Sequence, residues 1–183
     1  TDLTNVAKIS CGGQACVAIK NDNTAVVWGR NGYGGRSDTL TNIADASCGG
    51  AACVALKNDG TAEAWGHANN GGDASSVTLT NVADISCGGK ACVARKNDGT
   101  AVAWGDAQYG GDTTGVDLTN VADISCGGHA CVALKNDGTA VAWGSSYYGG
   151  TIHSALTTIA VPSGSYHNID WGLDRSKSLC VEC

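Results

Sequence analysis

The sequence predicts an all-β protein: a β-propeller-like array of antiparallel repeats, with four full units and a degenerate fifth. Three observations carry this prediction. One segment recurs in register, as CGGQACVAIKND from Cys11, CGGAACVALKND from Cys48, CGGKACVARKND from Cys87 and CGGHACVALKND from Cys126, at intervals of 37, 39 and 39 residues. Each recurrence holds short apolar runs broken by turn residues, among them Asn58-Asp59-Gly60. No window shows a helical period.

Within a unit, the lead-in Val-Ala-Asp-Ile-Ser-Cys alternates and reads as a first strand. Gly-Gly-x-Ala reads as a tight turn, and Cys-Val-Ala-Leu-Lys as a second strand. Asn-Asp-Gly is a hairpin turn because glycine accepts a positive φ. Thr-Ala-Val-Ala-Trp is a third strand that closes on Trp-Gly, at Trp28, Trp65, Trp104 and Trp143. The linking segment GGDASSVTLTNV leaves room for a short fourth strand around Val77 and Leu79. Three or four short antiparallel strands in about 39 residues make a unit the size of a propeller blade. Small residues crowd the first two strands, so neighbouring sheets are expected to approach closely. A β-solenoid or open stacked hairpins is the alternative arrangement.

Four repeats are assigned to residues 1–155. Residues 156–183 form a degenerate fifth repeat and C-terminal cap of the same single domain. This tail starts like the other units at Leu156, then drifts, and places Cys180 and Cys183 in a C-x-x-C spacing that the others lack.

These residues resemble the regulator of chromosome condensation repeat family. That family's blade runs apolar-Ala-Gly-Gly-x-His-x-x-Ala-Leu, then Asp-Gly, then a strand ending in Trp-Gly. The matching stretches are ISCGGQACVAIKNDNTAVVWG, ASCGGAACVALKNDGTAEAWG, ISCGGKACVARKNDGTAVAWG and ISCGGHACVALKNDGTAVAWG, and the tail keeps GSYH at Gly164 to His167. The resemblance implies a β-propeller. It also implies, as one functional alternative, a small-GTPase regulator or chromatin binder, the roles of a founding member with seven longer blades. This chain departs from the pattern by having Ala15, Ala52, Ala91 and Ala130 where the family usually has His. It also adds two cysteines per unit.

Each pair, Cys11 with Cys16, Cys48 with Cys53, Cys87 with Cys92 and Cys126 with Cys131, spans a four-residue hairpin connection. Such a connection sets the two strand ends opposite each other, within reach of a disulfide. A loop this small contributes roughly 2 kcal/mol at most. Cys180 and Cys183 are expected to pair with each other or to staple the terminus. Zinc or iron–sulfur ligation calls for C-x-x-C pairs brought together. A redox role calls for a C-x-x-C beside cations or a helix, and Glu182 has the wrong charge. Free thiols packed as small apolar residues are the remaining alternative. The disulfide reading is preferred, and with it an oxidising compartment: extracellular, secretory or an organelle lumen such as the thylakoid lumen.

The 183 residues contain no Met and no Phe. The chain is accordingly read as a processed mature form or a fragment. A formal net charge of −6 with no basic cluster excludes nucleic acid as an expected partner and argues against docking on an anionic membrane surface. His67, His129, His153 and His167 share no repeat position, and no metal or other cofactor is expected. Asp73 and Asp112 follow Gly-Gly where other units have Arg36 and Thr151, which speaks against a repeated calcium site. No nucleophile elbow or phosphate-cradling loop is present, so no catalytic residue is assigned.

The loops after Trp-Gly vary between units and carry Tyr33, Tyr109, Tyr147 and Tyr148. Variable tips on a regular scaffold suit recognition, and Tyr is a favoured interface residue. Glu63 and Arg95 break the repeat where Val and Leu stand elsewhere, and both are read as marking a face open to solvent or a partner. The expected function is a non-enzymatic, disulfide-stapled scaffold or extrinsic subunit. It would bind a protein partner or self-associate and dock on a larger assembly, in one setting by peripheral contact at the lumenal side of a membrane complex. A secreted sugar-binding propeller that takes glycan through Trp or Tyr is the alternative.

Overall fold

The computed structural model describes residues 3–151. The fifth unit, with Cys180 and Cys183, lies outside the described residues. Four antiparallel sheets follow the repeats. The first holds β1 (Val6–Cys11), β2 (Ala15–Lys20), β3 (Ala25–Gly29) and β4 (Thr39–Leu40). The second holds β5 (Ile43–Cys48), β6 (Ala52–Lys57) and β7 (Ala62–Gly66). The third holds β8 (Val82–Cys87), β9 (Ala91–Lys96) and β10 (Ala101–Gly105), and the fourth β11 (Val121–Cys126), β12 (Ala130–Lys135) and β13 (Ala140–Gly144). In each sheet the second strand is central.

The strands form where alternation places them, and the turns follow from side-chain chemistry. At Lys57–Thr61 the Lys57 amide donates to the Thr61 carbonyl and the Gly60 amide to the Lys57 carbonyl. Gly60 takes φ 78°, which closes a three-residue loop with a left-handed last residue. Asp59 accepts from both the amide and the hydroxyl of Thr61, at 2.9 and 2.7 Å, and Asp98 and Asp137 do the same for Thr100 and Thr139. In the first unit Asn23 takes the left-handed place at φ 62°.

The expected fourth strand forms only in the first blade, as two residues paired with β3. Around Val77 and Leu79 there is no strand. A single bond, from the Ala62 amide to the Leu79 carbonyl, stands in for it, although both side chains still pack on the core. A hydrogen-bonded turn and an Asx cap on Asp73 precede this stretch and shorten what can pair.

The sheets stack as blades, each against the next, and among the described residues the series is not closed into a ring. The same interface occurs three times. Val17, Val54 and Val93 of the leading blades are fully buried against the Cys–Cys pair, the Ala and the Trp of the following blades. Fully burying such a side chain contributes about 1.5–3 kcal/mol. The amides of Gly13, Gly50 and Gly89 donate to the carbonyls of Gly49, Gly88 and Gly127 at 3.0–3.1 Å. The hydroxyls of Ser10, Ser47 and Ser86 accept from the amides of Cys48, Cys87 and Cys126. This approach is so close that a Cβ on Gly49 would lie 1.9 Å from the Gly88 carbonyl oxygen, which explains glycine there.

Candidate functional site

The eight described cysteines form four disulfides, each across its own Gly-Gly-x-Ala turn, with Cα atoms 4.0–4.1 Å apart. The Gly49 amide donates to Ala52, so Cys48 and Cys53 occupy the next, non-hydrogen-bonded pair, where opposite side chains come closest. Four such bridges are compatible with an oxidising compartment. Three of them are shielded by the preceding blade, whereas Cys11 of the first is exposed. The sulfurs of Cys53, Cys92 and Cys131 lie buried beside Gly34, Gly71 and Gly110 of the preceding loops. Among the described residues there is no group of three or more His, Cys, Asp or Glu placed to hold a metal.

Three of the Trp side chains belong to the same joints. Trp65, Trp104 and Trp143 donate their indole N–H to the carbonyls of Gly34, Gly71 and Gly110 at 2.8–2.9 Å. Trp104 and Trp143 are buried. Buried in this way, Trp104 and Trp143 leave little ring face for a sugar.

The loops after Trp-Gly build the most feature-rich open surface. Three of them contain a one-turn 3-10 segment, at Ala68–Asn70, Ala107–Tyr109 and Ser146–Tyr148, ended by a left-handed glycine. Asp106 caps its segment by accepting from the Gln108 amide. The Tyr at the end of the turn is thereby laid against the variable residue of Gly-Gly-x-Ala. Lys90 Nζ sits 4.1 Å from the centre of the Tyr109 ring. His129 lies between Tyr109 at 4.9 Å and Tyr148 at 4.4 Å, so Lys90, Tyr109, His129 and Tyr148 form a ladder across two blades. A shorter counterpart joins Arg30, which lies over Tyr33, to His67. Tyr147 packs on nothing comparable and is 93% exposed. The tyrosines singled out in the sequence are thus brought into two clusters on the loops, while Tyr147 stands beside the larger one.

Glu63 and Arg95 sit elsewhere. Glu63 lies at the joint of the first two blades, where its carboxylate meets the Arg36 guanidinium at 2.8 Å and Lys57 at 3.4 Å. Arg36 holds the Glu63 carboxyl below its ordinary pKa. Arg36 also pairs with Asp38 and lies over the Trp65 ring. Arg95 is in register opposite Asp84, and its Nε is buried without a hydrogen-bond partner. Burial raises the Asp84 pKa, against the pull of Arg95. The sequence did hold a signal for the first pair: Arg36 and Glu63 are both departures from the repeat, opposite in charge, in adjacent units.

Comparison with known proteins agrees with this architecture. The family model of the regulator of chromosome condensation (RCC1) repeat matches residues 6–34 and 121–149. No curated protein matches the chain significantly. Among solved structures, human WBSCR16 aligns at TM-score 0.60 and 19% identity, over 76% of this chain and 47% of that one. Yeast RCC1 (Prp20), solved bound to Kap60, aligns at 0.62 and 18%, over 76% and 43%. The ectodomain of the Physcomitrella patens receptor kinase CR4 aligns at 0.61 and 18%, over 76% and 40%. The chain spans less than half of each of these structures. At such identities the likeness concerns the fold, which is that of β-propeller blades.

Proposed function

Starting from a chain built of RCC1 repeats, we propose that it is a non-enzymatic interaction scaffold that docks a protein partner on its tyrosine-bearing loops. The observation that carries this reading is the ladder of Lys90, Tyr109, His129 and Tyr148 with the projecting Tyr147 beside it. Rigid aromatic side chains supply contact area at low entropic cost, and the stacked ladder holds most of them in place before binding. Trp65, Trp104 and Trp143, which a sugar-binding propeller would offer, are engaged between blades, which supports a protein partner over a glycan. Yeast Prp20, which has a similar fold, is described with binding to Gsp1p and histones. The acidic net charge of this chain suits a basic partner surface, and a small-GTPase regulator remains the second reading on the strength of that likeness. The four bridges support an oxidising setting, with the lumenal side of a membrane complex as one such place for an extrinsic subunit.

The test is site-specific photo-crosslinking. A photoreactive residue at Tyr147 or Tyr148 should trap one discrete partner, and one at Asn58, on a hairpin turn, should not. Equal labelling from all three positions would sink the reading. A nucleotide-release assay with small GTPases and binding to a glycan array score the two alternatives directly.

A further inference from the structure

Among the described residues, the two ends of the blade series are the two halves of the internal joint. On the first blade, the face that would meet a preceding blade carries Val6, Ile9, the Cys11–Cys16 bridge, Ala18, Val26 and Trp28. The third and fourth blades have the same residue types at these places, and there they are packed into a joint. Ile85 and Ile124 are 8% and 7% exposed, whereas Ile9 is 59% exposed. Trp28 donates to no acceptor among the described residues, unlike its three counterparts. The slot that Gly34 fills on the second blade is, on the first, an open cleft of about 270 Å³ lined by Gly12, Gly13, Ala15, Cys16 and Trp28.

The far face of the fourth blade mirrors this. Val132 is 39% exposed, whereas Val17, Val54 and Val93 are fully buried. Ser125, whose counterparts each accept from the next blade, is exposed, as are Gly127 and Gly128. The Gly128 amide corresponds to those of Gly13, Gly50 and Gly89, which reach the next carbonyl.

We infer that these end faces bind each other between two copies of the chain, head to tail, the first blade of one copy on the fourth blade of another. The occupant is argued from continuity. The contact would repeat a joint that the chain already makes three times, with the same valine, serine hydroxyl, glycine amide and indole. The degenerate unit at 156–183 is a poorer match for the fourth blade, because it lacks the C-x4-C pair that fills the joint. A head-to-tail contact closes into a ring or continues as a filament according to the rotation per copy. In such a joint the Trp28 indole would donate to Gly149, the counterpart of Gly34, Gly71 and Gly110 and the residue after Tyr148, so this surface adjoins a tyrosine-bearing loop. Ile9 and Val132 lie outside those loops, so variants there test the self-contact and leave the tyrosine surface intact.

The experiment is sedimentation velocity of the full chain over a wide concentration range, with Ile9→Lys and Val132→Glu as variants. Both positions are exposed, and an unchanged β spectrum with intact disulfides verifies folding. The wild type should associate as concentration rises, and each variant alone should associate roughly tenfold or more weakly. An equimolar mixture of the two variants should form a one-to-one dimer and nothing larger, since one retains the tail face and the other the head face. The Cys11–Cys16 bridge should also become slower to reduce as the wild type associates. A wild type that stays monomeric throughout overturns the inference. So do variants that associate like the wild type, or a mixture that fails to pair.

Discussion

The Arg36 guanidinium and the Glu63 carboxylate meet at 2.8 Å across the first blade joint, on loops and strands 27 residues apart. The other blades place Val26, Val102 and Val141 where Glu63 stands. Both groups are partly exposed, so the pair should behave nearer a surface than a buried ion pair. Arg36→Ala and Glu63→Ala are each expected to cost about 0.5–1 kcal/mol, with a coupling of about 0.5 kcal/mol in a double-mutant cycle. Urea unfolding of the four proteins measures it. Strictly additive single effects would mean that the contact contributes nothing.

Acid should weaken the fold through its turns. Asp59, Asp98 and Asp137 have lowered pKa values because each accepts from a Thr two residues on. Asp117 is lowered to about 2, chiefly by Lys135. A depressed folded-state pKa means stability that is present above the unfolded value and lost as pH falls toward the folded one. Asp84 works in the opposite sense, because burial raises its pKa, but it is one group against several. The melting temperature should therefore fall between about pH 4 and about pH 2. The decline should be shallower in Asp117→Asn, measured by thermal scans at matched ionic strength. A flat profile across that window would contradict the assignment.

Trp104 and Trp28 are equivalent in the repeat but not in the structure. Trp104 is buried and donates to Gly71, so Trp104→Phe removes a bond and leaves a carbonyl without its partner. The expected loss is about 1–3 kcal/mol. Trp28→Phe removes no such bond and should change the stability of the dilute protein by under about 0.5 kcal/mol. Denaturant titration at low concentration separates the two, and equal losses would refute the distinction.

The four bridges should not open together. Cys53, Cys92 and Cys131 are buried behind a preceding blade, whereas Cys11 is exposed and Cys16 partly so. Thiol–disulfide exchange requires access to sulfur. Limited reduction of the dilute protein, trapped by alkylation and read by peptide mass, should label Cys11 and Cys16 first. Even labelling of all four pairs would show that blade stacking gives no protection.

The repeat made most of the fold legible. Its period located the blades, its small residues the close approach, and its C-x4-C spacing the bridges. The fourth strand expected around Val77 and Leu79 does not form, because apolar side chains there pack without a ladder and the turn before them leaves too few residues to pair. The stacking of His129 between Tyr109 and Tyr148 was not legible. It depends on one blade's loop lying over the next blade's turn, a relation set by the rotation between blades and not by spacing along the chain. The Arg36–Glu63 contact crosses the same kind of boundary, yet it left a trace, because charge entered two positions that the repeat otherwise keeps uncharged or opposite in sign.

Every described cystine joins residues five apart within one blade, and none joins one blade to another. Under tension applied at its ends, such a chain has knots inside its links but no rivets between them. The links should therefore come apart one by one. Each release should pay out nearly the full chain of its repeat, roughly 120 Å at ~3.5 Å per residue, because the knot withholds only a turn. Oxidation would leave the step length almost unchanged, and the regular spacing of the repeats would be written directly into how far the molecule stretches.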